Sequence, residues 1–153
     1  MAKEIERKFL VDAAKLPDLP RGTHIVQGYI PSDAATVRVR IRDGRAFLTL
    51  KGKTEGLTRS EFEYAVPLED AEAMMEGLCA RPYIEKRRYE ILHEGHLWEL
   101  DVFEGENRGL IVAEIELSFE EEIFAKPDWV TKEVTFDTRY RNAYLVKHPF
   151  NRW

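Results

Sequence analysis

A chain of 153 residues can bury an apolar core as one domain without disulfide staples, and its single cysteine, Cys79, excludes both an internal disulfide and a thiolate metal cluster. The formal net charge of −5 argues against general nucleic-acid binding, which needs a net basic face; with 33% of residues charged, where the charges sit matters more than their sum. Glu4 and Glu6 interrupt the apolar run that a signal peptide would need, no later stretch approaches membrane-spanning length, and no linker or repeat divides the chain, so the expectation is one soluble, cytoplasmic domain over 1–153 with no membrane partner.

Taken in chain order, period-two alternation predicts strands over 3–11, 24–31, 36–42 and 45–53, with Asp43-Gly44 as a short hairpin connection, and a fifth over 59–67. A helix follows from Glu69 to Leu78, carrying Ala71, Met74, Met75 and Leu78 at helical spacing. Strands resume over 83–93 and 96–104, joined by Glu94-Gly95, and over 110–118. A short helix over Phe119 to Phe124, ended by Pro127, and a helix from Thr138 to Lys147 complete the elements.

Within the strands, charges keep to one parity. Glu4, Glu6 and Lys8 share a face opposite Ile5, Phe9 and Val11, and Arg38 and Arg40 alternate with Val37, Val39 and Ile41. Lys51 and Lys53 lie opposite Leu48 and Leu50; Arg59, Glu61 and Glu63 alternate with Phe62, Tyr64 and Val66; Lys86 and Arg88 share a face; Glu99 and Asp101 lie opposite Trp98, Leu100 and Val102; Glu114 and Glu116 alternate with Ile115 and Leu117. Acids collect on strands 3–11, 59–67 and 110–118, bases on 36–42, 45–53 and 83–93, whereas a face serving only solubility would mix the signs. Like charges at successive same-face positions, about 7 Å apart, repel one another. A divalent cation would stabilise the carboxylates and a polyanion the bases, a pairing that describes a metal–polyphosphate complex.

An open sheet with a wet charged face and a barrel with the charged face inside both accommodate this pattern. The apolar faces need covering, which the helices could supply in part from outside, and closure removes the edge strands. The favoured fold is therefore mainly β: a closed antiparallel barrel with a charged interior and a few helices packed outside.

The motifs Glu4-Ile5-Glu6-Arg7-Lys8, Gln27-Gly28-Tyr29, Val37-Arg38-Val39-Arg40, Leu50-Lys51, Arg59-Ser60-Glu61-Phe62-Glu63, Glu85-Lys86-Arg87-Arg88-Tyr89, Glu99-Leu100-Asp101-Val102 and Glu114-Ile115-Glu116 resemble those of the CYTH domain proteins, or triphosphate tunnel metalloenzymes, the first being that family's ExExK signature. The resemblance covers nearly the whole chain. It implies an eight-stranded tunnel that binds a small-molecule triphosphate with one or two divalent metals, usually Mg2+ or Mn2+, which suit hard oxygen donors. By that analogy Lys8, Arg38, Arg40, Lys51, Lys86 and Arg88 hold phosphate oxygens, and Glu4, Glu6, Glu61, Glu63, Asp101, Glu114 and Glu116 form the pool of metal ligands. Arg139, Tyr140 and Asn142 resemble the family's C-terminal pattern, so that Arg139 either reaches into one mouth of the bore or pairs with an acid on the rim.

The expected reaction is metal-dependent hydrolysis of inorganic tripolyphosphate to pyrophosphate and phosphate. Thiamine triphosphatase, nucleoside triphosphatase, class IV adenylyl cyclase and a non-catalytic polyphosphate-binding module remain as alternatives. The attacking water could be activated by a second metal or by Lys86, whose ammonium among other cations loses its proton more easily than a solvated lysine. Some tripolyphosphatases of the family use a lysine at the matching position, which ranks Lys86 first as catalytic base, with a purely phosphate-binding role as the alternative. Lys53 and Arg42 are expected to be peripheral, the four histidines show no metal-ligand spacing, and outward apolar side chains left uncovered would support a homodimer.

Overall fold

The computed structural model describes residues 3–153. Its strands are β1 (Lys3–Val11), β2 (Thr23–Ile30), β3 (Thr36–Arg42), β4 (Arg45–Lys51), β5 (Thr58–Val66), β6 (Ile84–His93), β7 (His96–Phe103), β8 (Ile111–Glu116) and β9 (Val130–Glu133), with helices α1 (Leu68–Leu78) and α2 (Asn142–Lys147). The sheet order is β5-β4-β3-β2-β6-β7-β8-β1-β9, and β1 also pairs with β5, which closes β1 to β8 into an eight-stranded antiparallel barrel. The hairpins at Asp43-Gly44 and Glu94-Gly95 have positive φ at both residues (50° and 69°, 47° and 83°), the type I′ geometry whose twist matches that of the strands it joins.

Strand β1 is the seam. One edge pairs with β8 along Glu6 to Leu10, while the other pairs with β5 only at Lys3 to Ile5 and then with β9 at Phe9 and Val11. Beyond β9 the chain continues to satisfy this edge, since Val134 N–H donates to the Lys8 carbonyl at 2.8 Å and Lys8 N–H to Thr135 Oγ1 at 3.0 Å. Strand β9 is absent from the sequence reading because four residues ending in Lys132 and Glu133 carry too little alternation to register.

Apolar side chains clothe the outside of the barrel. Ala71 and Met75 of α1 pack on Val39 and Ala46, so this helix lies outside as expected. The outer faces of β1, β7 and β8 present Phe9, Trp98, Leu100 and Ile115, covered by Phe124 and Trp129 of the segment before β9, with Trp98 edge-on to both aromatics at 5.7 and 5.9 Å between centroids.

Two helix expectations are corrected. Residues 119–124 form turns: Phe119 C=O accepts from Glu122 N–H, and the Glu122 carboxylate folds back onto Ser118 N–H and His96 instead of extending a helix. The stretch 138–147 divides into a 3-10 turn over Thr138–Tyr140 and α2, because Arg141 between them is extended (φ −73°, ψ 135°). Moreover, α2 does not lie on the outer wall. Leu145 and Val146 pack against Ile84, Phe103, Leu110 and Val112, and Ile84, Phe103 and Val112 share strand parity with the bore-facing charges, so this helix closes one end of the bore. No helix among the described residues is long and apolar enough to cross a membrane.

Candidate active site in the charged bore

The bore is a cavity of about 710 Å³ walled by the charged parity of the strands. Closure turns the strand-by-strand segregation of sign into two halves of one wall. Strands β7, β8, β1 and β5 are consecutive neighbours and carry Glu99, Glu114, Glu116, Glu4, Glu6, Glu61 and Glu63, while β4, β3 and β6 carry Lys51, Arg38, Arg40, Lys86 and Arg88, with the neutral Gln27 and Tyr29 of β2 between β3 and β6. Lys8 and Arg59 are the bases set into the acidic half.

On the acidic side, carboxylates crowd beyond what the available cations neutralise. Lys51 Nζ reaches Glu4 at 2.9 Å and Glu61 at 3.2 Å. Burial raises the pKa of Glu4 against the pull of Lys51, and the neighbouring Glu61 raises it further, while Glu4 and Lys51 lower that of Glu61 against its own burial. Burial, then Glu114, then Glu4 push Glu6 well above the usual carboxylate range. Burial likewise raises Glu116, with Glu4, Glu61 and Glu99 adding to it. Glu114 behaves oppositely: burial is outweighed by Lys8, whose Nζ lies 3.5 Å away, and its pKa falls to about 2. Glu4, Glu6, Glu61 and Glu116 are hard oxygen donors on this half of the wall, a donor type that suits a divalent cation.

The basic side shows the converse. Arg40 donates to Gln27 Oε1 at 2.8 Å and has no carboxylate within ion-pair distance among the described residues; burial, with Arg38 and Arg88 adjacent, pushes its pKa down to about 10. Arg38 is anchored by Thr49 Oγ1 at 3.2 Å and Glu63 at 3.5 Å, and Arg59 by Thr36 Oγ1 at 3.2 Å, yet the Nε of each is buried without a hydrogen-bond partner. These unmatched buried donors, Arg38 on the basic wall and Arg59 set into the acidic half, can receive an anion.

Between the halves lies a network in which Lys86, Arg88 and Asp101 are buried and Glu99 is half-buried. Asp101 accepts from Lys86 Nζ at 2.7 Å and from Arg88 Nε and Nη2 at 2.8 and 2.9 Å, and Arg88 also reaches Glu99 at 3.0 Å. Burial opposes ionisation of Asp101, but Lys86 and Arg88 hold its carboxyl far below the usual range. Burial depresses Lys86 to about 7; Asp101 opposes this and Arg88 and Arg40 reinforce it.

Most residues singled out from the sequence therefore meet in the bore: Lys8, Arg38, Arg40, Lys51, Lys86 and Arg88 with Glu4, Glu6, Glu61, Glu63, Glu114 and Glu116. Asp101 does not line the cavity, and both its oxygens are engaged, so it positions Lys86 and Arg88 and is not free to ligate a metal. Arg139 points to the surface, because Asp137 caps the Arg139 N–H and holds its guanidinium at 2.7 Å. The bore is instead reached by Arg141, whose extended backbone breaks the helical pattern and gave no sequence signal. Arg59 and Glu99 were not singled out as site residues, although each shares the parity of its charged strand neighbours; Gln27 and Asn142 stood in the resembling motifs without a site role, because a lone amide shows no charge parity. Arg42, paired with Glu90 at 3.6 Å, and the exposed Lys53 lie outside the bore. One histidine joins acids on the outer rim: His24 Nε2 lies 2.8 Å from Glu85 and 3.6 Å from Glu104.

A family model of the CYTH domain matches residues 2–144. The chain is 47% identical to an inorganic triphosphatase of Acetivibrio thermocellus, covering 100% of this chain and 99% of that protein, and 38% identical to an inorganic triphosphatase of Nitrosomonas europaea, covering 94% and 96%. It is similar to the crystal structure of the inorganic triphosphatase NE1496, with a TM-score of 0.67 at 36% identity, over 94% of this chain and 97% of that one.

Proposed function

The chain belongs to the CYTH domain family, and from that premise we propose that it is a metal-dependent inorganic triphosphatase, hydrolysing tripolyphosphate to pyrophosphate and phosphate within the bore of a single domain. The observation that carries this reading is the pairing of an acidic half-wall in excess of cations with a basic half-wall in excess of carboxylates. A linear triphosphate bearing a divalent cation complements both at once.

Arg38, Arg40, Arg59 and Arg141 bind and orient the phosphate oxygens, and the unmatched Nε donors of Arg38 and Arg59 find acceptors there. Glu4, Glu6, Glu61 and Glu116 would hold Mg2+ or Mn2+, which supplies charge neutralisation to the phosphate oxygens. Lys86, depressed to about 7, is the base: its amine takes a proton from the attacking water as the new oxygen bond to the terminal phosphorus forms and the bond to the bridging oxygen breaks. That proton then leaves to solvent or to the departing pyrophosphate. Asp101 and Arg88 hold Lys86 in place, and α2 limits solvent access from one end.

The free thiol Cys79 supports a reducing, cytoplasmic setting. Leu50, Phe62 and Tyr64, exposed on the outer face of β4 and β5, support a homodimer, to be tested by sedimentation. A panel of tripolyphosphate, pyrophosphate, ATP and thiamine triphosphate, assayed with magnesium and with manganese, tests the substrate assignment. Tripolyphosphate is expected to have the highest kcat/KM; a higher value for ATP or thiamine triphosphate, or cyclic AMP made from ATP, would overturn it.

A further inference from the structure

We propose that Asn142 is a positioning residue for Lys86, fixing the direction of the one nitrogen vertex that Lys86 turns toward the bore. The inference rests on the reading of Lys86 as the base. Lys86 Nζ donates to Asp101 Oδ2 at 2.7 Å and to Asn142 Oδ1 at 2.8 Å. A lysine nitrogen offers three positions beyond its own carbon, so two such bonds leave a single one, carrying either an N–H for a phosphate oxygen or a lone pair for a water proton. With Asp101 alone, rotation about the last side-chain bond would leave that position free to sweep around the anchored hydrogen bond.

The orientation of Asn142 follows from its neighbours. Arg40 can only donate, so Gln27 must turn its oxygen to Arg40 Nε, at 2.8 Å, and its amide nitrogen to Asn142 Oδ1, at 3.2 Å, and to the Tyr29 hydroxyl, at 2.8 Å. The Asn142 oxygen therefore faces both Gln27 and Lys86. Gln27 is fully buried, so this arrangement is enclosed on the side of β2. Asn142 opens α2, the helix that closes the bore, so seating that helix and aligning Lys86 are one event. A displaced α2 would release one of the two anchors of Lys86.

The test measures tripolyphosphate turnover with magnesium in Asn142→Leu, which keeps similar bulk without an acceptor, and Asn142→Asp, which restores an oxygen at the same place. Asn142→Leu is expected to lower kcat about tenfold or more while KM moves less than about threefold, the signature of lost alignment rather than lost binding. Asn142→Asp is expected to recover most of that kcat at alkaline pH, since its added carboxylate raises the pH at which Lys86 loses its proton. Should the leucine variant fail to show a cooperative melting transition, Asn142→Ala decides by the same split. A kcat within about twofold of the parent, or a parallel loss of kcat and KM that aspartate does not rescue, would overturn the proposal. Lys86→Met separates the two readings: if its kcat is unimpaired, Lys86 is not the base and both fall, whereas loss in Lys86→Met with Asn142→Leu unaffected removes the role of Asn142 alone.

Discussion

Lys86 and Asp101 are buried against one another, with Nζ 2.7 Å from Oδ2, while Arg88 closes on the same carboxylate with its Nε 2.8 Å from Oδ1. A carboxylate shared by two buried cations stabilises the fold because each cation would otherwise lack a counter-charge in a poorly solvated place. Asp101→Asn is therefore predicted to cost about 3–5 kcal/mol, the range for breaking a buried pair from one side. Urea unfolding checks this. A loss below about 1 kcal/mol would show that Glu99 and Glu114 compensate.

Glu6 is the reverse case. Burial, with Glu114 and Glu4 nearby, penalises its charged form, so its folded pKa lies above its unfolded value. The metal-free protein should consequently gain stability as pH falls through that raised pKa toward the unfolded value. Glu6→Gln removes the penalty and is predicted to stabilise the chelator-treated protein by about 0.5–2 kcal/mol while abolishing metal-dependent turnover. Thermal unfolding and phosphate release on the same samples test the two halves together; a destabilised variant would contradict the excess of negative charge.

The pH dependence follows from Lys86, depressed to about 7 mainly by burial. Its amine form accepts the proton, so kcat/KM should rise with pH through that value and level off above it. A flat profile through neutrality would remove Lys86 from this role. Lys86→Met should lack both the rise and most of the turnover.

Arg139 and Arg141 provide an internal comparison, two residues apart. The first is held at the surface by Asp137 at 2.7 Å and the second lines the bore. Arg139→Ala is predicted to leave KM for tripolyphosphate within about twofold, and Arg141→Ala to raise it about tenfold, consistent with losing one charge-assisted hydrogen bond. Equal effects would contradict the placement.

The barrel wall was legible because strand parity is local: Arg38 and Arg40 declare their face through Val37, Val39 and Ile41, and closure then brings like-signed strands side by side. What the sequence withheld depends on contacts distant along the chain. Asp101 has the same alternation as Glu99, and only the approach of Lys86 and Arg88 shows that its oxygens are taken. Arg141 reaches the bore because the helix breaks at that residue, a break set by the Asp137 cap and by the docking of Leu145 and Val146 inside the barrel end. Strand β9 exists because β5 leaves the edge of β1 unpaired after Ile5, which no local pattern in 130–133 records.

Phosphorus NMR of tripolyphosphate incubated with the protein and magnesium tests the proposed function most directly. One pyrophosphate and one phosphate should appear for each tripolyphosphate consumed, and both should vanish with chelator or in a Glu4→Gln, Glu6→Gln variant. Tripolyphosphate that stays intact with magnesium and with manganese, from acid to alkaline pH, would contradict a bore built for its hydrolysis.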